Sequence, residues 1–111
     1  MIYISTGGFS EKTAYEACIE LYKNGIRDFE LSGGKPSKNY LKEFKNFNKD
    51  ASFSVHNYFP PPEIPFVLNL ASNDKLIYEK SQKHIINSIN LSKELNAKYY
   101  SFHAGFLMDP K

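Results

Sequence analysis

The chain has 111 residues, of which 41% are hydrophobic and 23% charged, which is the size and composition of one soluble globular domain with a single core. Its formal net charge of +2 is too small to indicate a nucleic-acid-binding protein. A single cysteine, Cys18, excludes an internal disulfide and is expected to be a buried thiol. The first residues, MIYIST, resemble neither a signal peptide nor a membrane span, so we expect a cytoplasmic protein without a membrane partner.

Four short runs rich in β-branched and aromatic residues predict strands along the chain. They are IYIS at 2–5, DFELS at 28–32, SFSVH at 52–56 and KYYSFH at 98–103. A proline-rich connection follows the third run, from residue 57 to 72, and its prolines exclude a helix or an inner strand. We expect this long loop to have a functional role.

Helical spacing of apolar residues predicts a helix after each of the first three strands. Ser10 is expected to cap the first helix and Ser37 the second, and the third helix is predicted from about Asn73 to Asn96. The predicted inward faces contain Ala14, Ala17, Cys18 and Leu21 in the first helix, Leu41, Phe44 and Phe47 in the second, and Ile77, Ser81, Ile85, Ser88, Ser92 and Leu95 in the third.

The predicted order β-α-β-α-β-α-β favours an α/β fold of parallel strands joined by right-handed crossovers. In such sheets, ligands collect at the carboxyl ends of the strands. His56 and His103 end the third and fourth predicted strands, in similar sequences, and each follows a serine (Ser54 or Ser101) on the same face. Neighbouring strands lie about 4.8 Å apart, so the two imidazoles are expected to stand at matching heights and to share one metal ion.

Other candidate site residues have alternative interpretations. Glu30 is a candidate third ligand or catalytic carboxylate that points inward, or a strand glutamate that faces solvent. Tyr58 and Phe59 either stack on a sugar ring or base, or anchor the long loop. His84 lies at the flank of a helical face and is expected to be structural or exposed.

The segments SVHNYFPPP, NLAS and SFHAGF resemble the xylose isomerase-like TIM barrels, and within them the sugar phosphate isomerase/epimerase-like proteins. The abasic-site endonuclease branch is related. The resemblance implies that His56 and His103 bind a divalent metal such as Zn, Mn, Mg or Co, and that the substrate is a sugar or sugar phosphate. The family's later ligands and catalytic carboxylates have no counterpart in this chain.

A TIM barrel needs eight βα units and about 250 residues. Residues 1–111 are therefore expected to form one N-terminal half-barrel domain that stops after the fourth strand and is inactive alone. A half barrel leaves open edges, so we expect it to pair with a C-terminal half or to form a homodimer. A metal-dependent abasic-site endonuclease fragment, a non-catalytic dimerising half barrel and a complete small α/β domain remain alternatives.

Overall fold

The structure, a computed structural model, describes residues 2–109. Strands and α-helices alternate along this part of the chain, and a 3-10 turn (Thr6–Gly8) follows the first strand. The strands are β1 (Ile4–Ser5), β2 (Asp28–Leu31), β3 (Ser52–His56) and β4 (Tyr100–Ser101), and the helices are α1 (Ala14–Lys23), α2 (Tyr40–Lys45) and α3 (Lys75–Glu94). The predicted alternation is confirmed, although β1 and β4 are shorter than the sequence indicated.

The strands form one parallel sheet in the order β1-β2-β3-β4. Ser5 pairs with Glu30 across β1 and β2, and Glu30 pairs with Ser54 across β2 and β3. His56 pairs with Ser101 across β3 and β4. Because register partners share a face, this row of polar side chains lies on one side of the sheet. The fold is thus a mixed α/β fold in which helices are interleaved with a four-strand parallel sheet.

The core lies on the other side of the sheet, where alternate residues of β2 and β3 point. Phe29, Leu31 and Val55 are at most 1% exposed. One hydrophobic cluster joins them to residues of all three helices, namely Ala14 and Cys18 of α1, Phe44 of α2 and Leu91 of α3. All three helices therefore cover the same face, as right-handed crossovers between successive strands require. Among the described residues, no helix covers the polar face.

Helix α2 buries part of its predicted face. Phe44 and Phe47 are buried as expected, with ring centroids 6.3 Å apart. The prediction for Leu41 is wrong, since its side chain is 37% exposed. The helix face instead includes Tyr40, one turn before Phe44, and the Tyr40 ring packs on Phe59 with centroids 5.5 Å apart.

The helix caps differ from the predicted ones. Helix α1 begins after Thr13, whose hydroxyl accepts the Glu16 N–H while the Glu16 carboxylate accepts the Thr13 N–H. Ser10 lies in the preceding turn, so its predicted capping role is wrong. The N-cap of α2 is Asn39 without a side-chain hydrogen bond, and Ser37 lies before it, where its hydroxyl accepts the Asn39 N–H.

Helix α3 carries the predicted stripe of buried small residues, Ser81, Ser88 and Ser92. The Ser81 hydroxyl accepts the N–H of Asn69 at 2.8 Å, and the Ser88 hydroxyl donates to the carbonyl of Phe59 at 2.7 Å. Ser81 and Ser88 therefore let the long loop approach the helix, and their hydroxyls satisfy buried backbone groups of that loop. Although α3 has 20 residues, neither it nor another helix within residues 2–109 is apolar enough over a sufficient length to cross a membrane.

Candidate functional site

His56 and His103 come together at the carboxyl end of the sheet. His56 is the last residue of β3, and His103 follows β4 by two residues. Their ring centroids are 5.4 Å apart, and the ring planes meet at 77°. The prediction of matching heights is wrong: the register partner of His56 is Ser101, so His103 lies two residues beyond the position opposite His56. The two rings are neighbours despite this offset.

Ser101 sets the orientation of the His56 ring. Its hydroxyl oxygen lies 2.8 Å from Nδ1 of His56. When Nδ1 carries the proton and donates to this oxygen, Nε2 keeps a free lone pair that faces away from the hydrogen bond. His56 is half-buried and His103 is exposed, so both rings are accessible from the rim.

Asn57 joins the two histidines through its backbone and side chain. It adopts a left-handed conformation with φ of 48°, which asparagine tolerates better than most residues. Its N–H donates to the Ser101 carbonyl at 2.8 Å, and its Oδ1 accepts the N–H of His103 at 3.4 Å. Asn57 therefore links the end of β3 to the segment that carries His103.

The carbonyl of Asn57 is held by two further side chains. His84 of α3, which is 7% exposed, donates from Nε2 to this oxygen at 2.7 Å. The Tyr100 hydroxyl donates to the same oxygen at 3.3 Å, and burial raises the pKa of Tyr100, so this hydroxyl keeps its proton. His84 thus has the structural role that was one of its two predicted interpretations. Sequence reasoning missed Asn57, because its partners come from two distant segments, α3 and residues 100–103.

A second asparagine fixes the segment after β4. Asn69 is fully buried, and its Oδ1 accepts the N–H groups of Ala71 and Phe106 at 3.0 and 2.9 Å. Its Nδ2 donates to Asp109 at 2.7 Å. Gly105 passes so close to Asn69 that an added Cβ would collide with the amide oxygen. The long loop and the AGF segment therefore hold each other in place beside His103.

Glu30, the candidate third ligand or catalytic carboxylate, lies on the polar face of the sheet below the two histidines. Glu30 is half-buried on the same face as His56, next to Ser5 and Ser54, which matches its inward interpretation. Strand geometry places its Cα about 8 Å from that of His56, one strand across and two residues below. Within residues 2–109, no group of three or more His, Cys, Asp or Glu side chains could hold a metal ion.

Tyr58 and Phe59 anchor the loop, as the alternative interpretation expected. The Tyr58 hydroxyl accepts the Leu68 N–H at 2.8 Å, and its ring packs on Phe66 with centroids 6.4 Å apart. Phe59 is 1% exposed and packs on Phe44 in the core, so it is not accessible to a ligand.

Comparisons with known protein families, with characterised proteins and with solved structures found no match. The resemblance to xylose isomerase-like barrels therefore stays a prediction. The described geometry consists of two accessible imidazoles at the carboxyl end of a parallel sheet, with the carboxylates of Glu30 and, further from the rim, Asp28 on the same polar face. Neutral imidazole is a common ligand of divalent metals, so this donor set fits the first two ligands of a metal ion.

Proposed function

We propose that His56 and His103 are two ligands of a divalent-metal site in a half barrel of the xylose isomerase-like type. The proposed chemistry is the isomerisation or epimerisation of a sugar or sugar phosphate. The observation that carries the proposal is the 5.4 Å separation of the two rings at the carboxyl ends of adjacent parallel strands. This is the end of a parallel sheet at which ligands gather.

The ring separation suits a shared ion. Metal–nitrogen bonds of about 2.1 Å at a tetrahedral angle place the centres of two imidazole ligands about 5 Å apart. The separation between His56 and His103 is close to that value. The hydrogen bond to Ser101 engages Nδ1 of His56 and leaves Nε2 as the coordinating atom.

Each residue would have a distinct part in the reaction. A divalent ion held there supplies Lewis acidity that polarises adjacent oxygens of a bound sugar. His56 and His103 hold the ion, and Ser101 fixes the orientation of the His56 ring. Glu30 is closer to the histidines than Asp28, the other carboxylate of β2 on this face, and a sugar between Glu30 and the histidines would bring a carbon-bound proton within its reach.

The site needs further ligands. Catalytic zinc typically takes three protein ligands and a water, and residues 2–109 bring together only two of the required side chains. We therefore place the other ligands in further βα units of a barrel or in a second copy of the chain. For this reason we expect residues 1–111 to have little or no turnover without a partner.

A non-catalytic half barrel that dimerises is the second candidate, and the open polar face favours it. Parallel sheets are normally covered on both faces, yet no described helix covers the face of Glu30 and His56. Apolar side chains beyond β4 are also exposed, including Phe106 at 45% and Leu107 at 98%. Face-to-face pairing of two copies would cover the sheet and bring four imidazoles together. Sedimentation velocity with and without metal separates a metal-independent dimer from a monomer.

A metal titration tests the proposal. We would measure Co²⁺ and Zn²⁺ binding by calorimetry and Co²⁺ absorption for the wild type, His56→Ala and His103→Ala, with Glu63→Gln as a control on the exposed loop. Each histidine variant is expected to bind about tenfold more weakly or worse, because a ligand is lost. Equal affinity in all four proteins contradicts the proposal. Robust isomerase activity from residues 1–111 contradicts the incompleteness of the site.

A further inference from the structure

A cleft lies between α3 and the proline-rich loop, and neither His56 nor His103 lines it. Its volume is about 310 Å³. One wall is apolar and contains Tyr40, Pro60, Pro61, Pro62 and Phe66. The other wall is a stripe of polar side chains on α3, namely Lys80, Lys83, His84 and Asn87. The spacing of three and four residues places this stripe on one side of the helix.

The charge in this cleft is positive. Lys80 and Lys83 are exposed, and neither forms an ion pair with a described residue. No aspartate or glutamate lines the cleft. Two ammonium groups one helical turn apart, without a counter-charge, favour an anion between them.

A buried histidine with a free nitrogen lies at the base of the stripe. His84 is 7% exposed, and its Nε2 donates to the carbonyl of Asn57 at 2.7 Å. A carbonyl only accepts, so the proton of the neutral ring is on Nε2. Nδ1 forms no hydrogen bond within residues 2–109, and the ring lines the cleft, so its NMR signals report on a bound ligand. The rings of Tyr58 and Phe66 hold His84 in this orientation.

We propose that this cleft binds a phosphate-type oxyanion. Lys80 and Lys83 provide the charge, and the Asn87 amide provides an N–H donor. The source is inorganic phosphate or a phosphorylated organic molecule whose apolar part lies against the wall of Pro61 and Phe66. The inference is independent of the proposed metal site, because the two sites share no ligating residue.

An NMR titration of the full chain tests this proposal. Phosphate, phenyl phosphate and sulfate are added at constant ionic strength while the ring signals of His84 are followed. The His84 signals are expected to shift with all three anions and to reach saturation as the anion concentration rises. Tighter binding of phenyl phosphate identifies a phosphorylated organic ligand, and equal binding identifies free phosphate. Absence of any His84 shift at millimolar anion overturns the proposal.

Matched variants distinguish specific binding in the cleft from general electrostatic attraction to the helix. Lys80→Gln/Lys83→Gln is expected to weaken phosphate binding about tenfold, the effect of removing two charge-assisted contacts. Lys75→Gln/Lys93→Gln removes the same charge from the same helix outside the cleft and is expected to change affinity less than about twofold. Equal weakening in both double variants overturns the proposal.

Discussion

The hydroxyl of Ser101 lies 2.8 Å from Nδ1 of His56, and the two residues are register partners on adjacent strands. The strand pairing that holds β4 against β3 therefore also sets the orientation of one imidazole. Since the hydroxyl engages Nδ1, the Nε2 atom is the one directed to a ligand.

From the proposed metal site, we expect that replacing Ser101 weakens the binding of an added metal ion without removing a ligand. Ser101→Ala is expected to bind Co²⁺ or Zn²⁺ about tenfold more weakly, because the His56 ring loses its orientation and its fixed tautomer. Ser101→Thr keeps the hydroxyl and is expected to remain close to the wild type. Nitrogen-15 NMR of the His56 ring provides a readout independent of metal. The wild type should show one dominant tautomer and Ser101→Ala a mixture; identical tautomer populations would argue against the orienting role.

Asn57 is expected to be sensitive to substitution for two separable reasons. Asn57→Ala loses the side-chain acceptor of the His103 N–H and also places alanine at a φ of 48°, so we expect a loss of about 1–2 kcal/mol in the free energy of unfolding. Asn57→Gly relieves the backbone strain and should lose less. Urea unfolding measures both. Asn57→Asp keeps an acceptor oxygen and is the control; if alanine and glycine variants are equally stable, backbone conformation is not the cause.

The alternation of strands and helices and the core face of the sheet were predictable, because they depend on local periodicity. Phe53 and Val55 alternate with Ser54 and His56, which places the apolar pair in the core and the polar pair on the open face. The position of His56 followed from the same periodicity, whereas His103 lies two residues beyond the end of β4 and is not opposite His56. The spacing of Thr13 and Glu16 in the sequence also indicates the capping box of α1, and the predicted cap at Ser10 lies three residues too early.

The parts that could not be predicted depend on contacts between distant segments. Asn57 forms hydrogen bonds with His84 and His103, which are 27 and 46 positions away in the sequence, and Asn69 with Phe106, 37 positions away. The residues next to each asparagine in the sequence do not indicate these partners. Asn69 also bonds to Asp109, 40 positions away. Polar side chains in loops have no periodicity, so the residues that position the histidines appear only when the chain is folded.

Gly105 is needed for space rather than for its backbone angle. Gly105→Ala would force a methyl group against the Asn69 amide oxygen and the backbone of Ala71, so we expect a loss of about 1–3 kcal/mol or release of the segment around His103. Gly8→Ala is the matched control, because nothing lies within 4 Å of its added Cβ. Hydrogen exchange of residues 104–109 measures the release. Equal exchange in both variants would show that the close approach is not limiting.

The N-terminus of α1 allows a direct comparison of two hydroxyl residues. Thr13→Ala removes the acceptor of the Glu16 N–H and is expected to cost about 1 kcal/mol of stability, measured by urea unfolding. Thr13→Ser should retain most of that stability. Ser10→Ala is expected to stay within about 0.5 kcal/mol of the wild type, because Ser10 caps no helix. A larger loss at Ser10 than at Thr13 would contradict the capping assignment.

Cys18 gives a pH-dependent prediction with a definite sign. Its side chain is fully buried, and burial raises the pKa of the thiol from an ordinary value of 9.0 to about 12. Between these values the folded protein keeps a proton that the unfolded chain releases. The contribution of the neutral thiol to the free energy of unfolding is therefore fully present below pH 9 and is lost as the pH rises towards 12.

Urea unfolding at pH 7 and pH 10 measures this loss. The wild type is expected to lose about 1.4 kcal/mol more than Cys18→Ala over this interval, since one pH unit above the unfolded pKa is worth about that much. Comparison with the alanine variant cancels the titration of tyrosines and lysines common to both proteins. The native thiol should also react with iodoacetamide at pH 8 far more slowly than the urea-unfolded chain. Equal labelling rates would mean that the thiol is accessible in the folded protein.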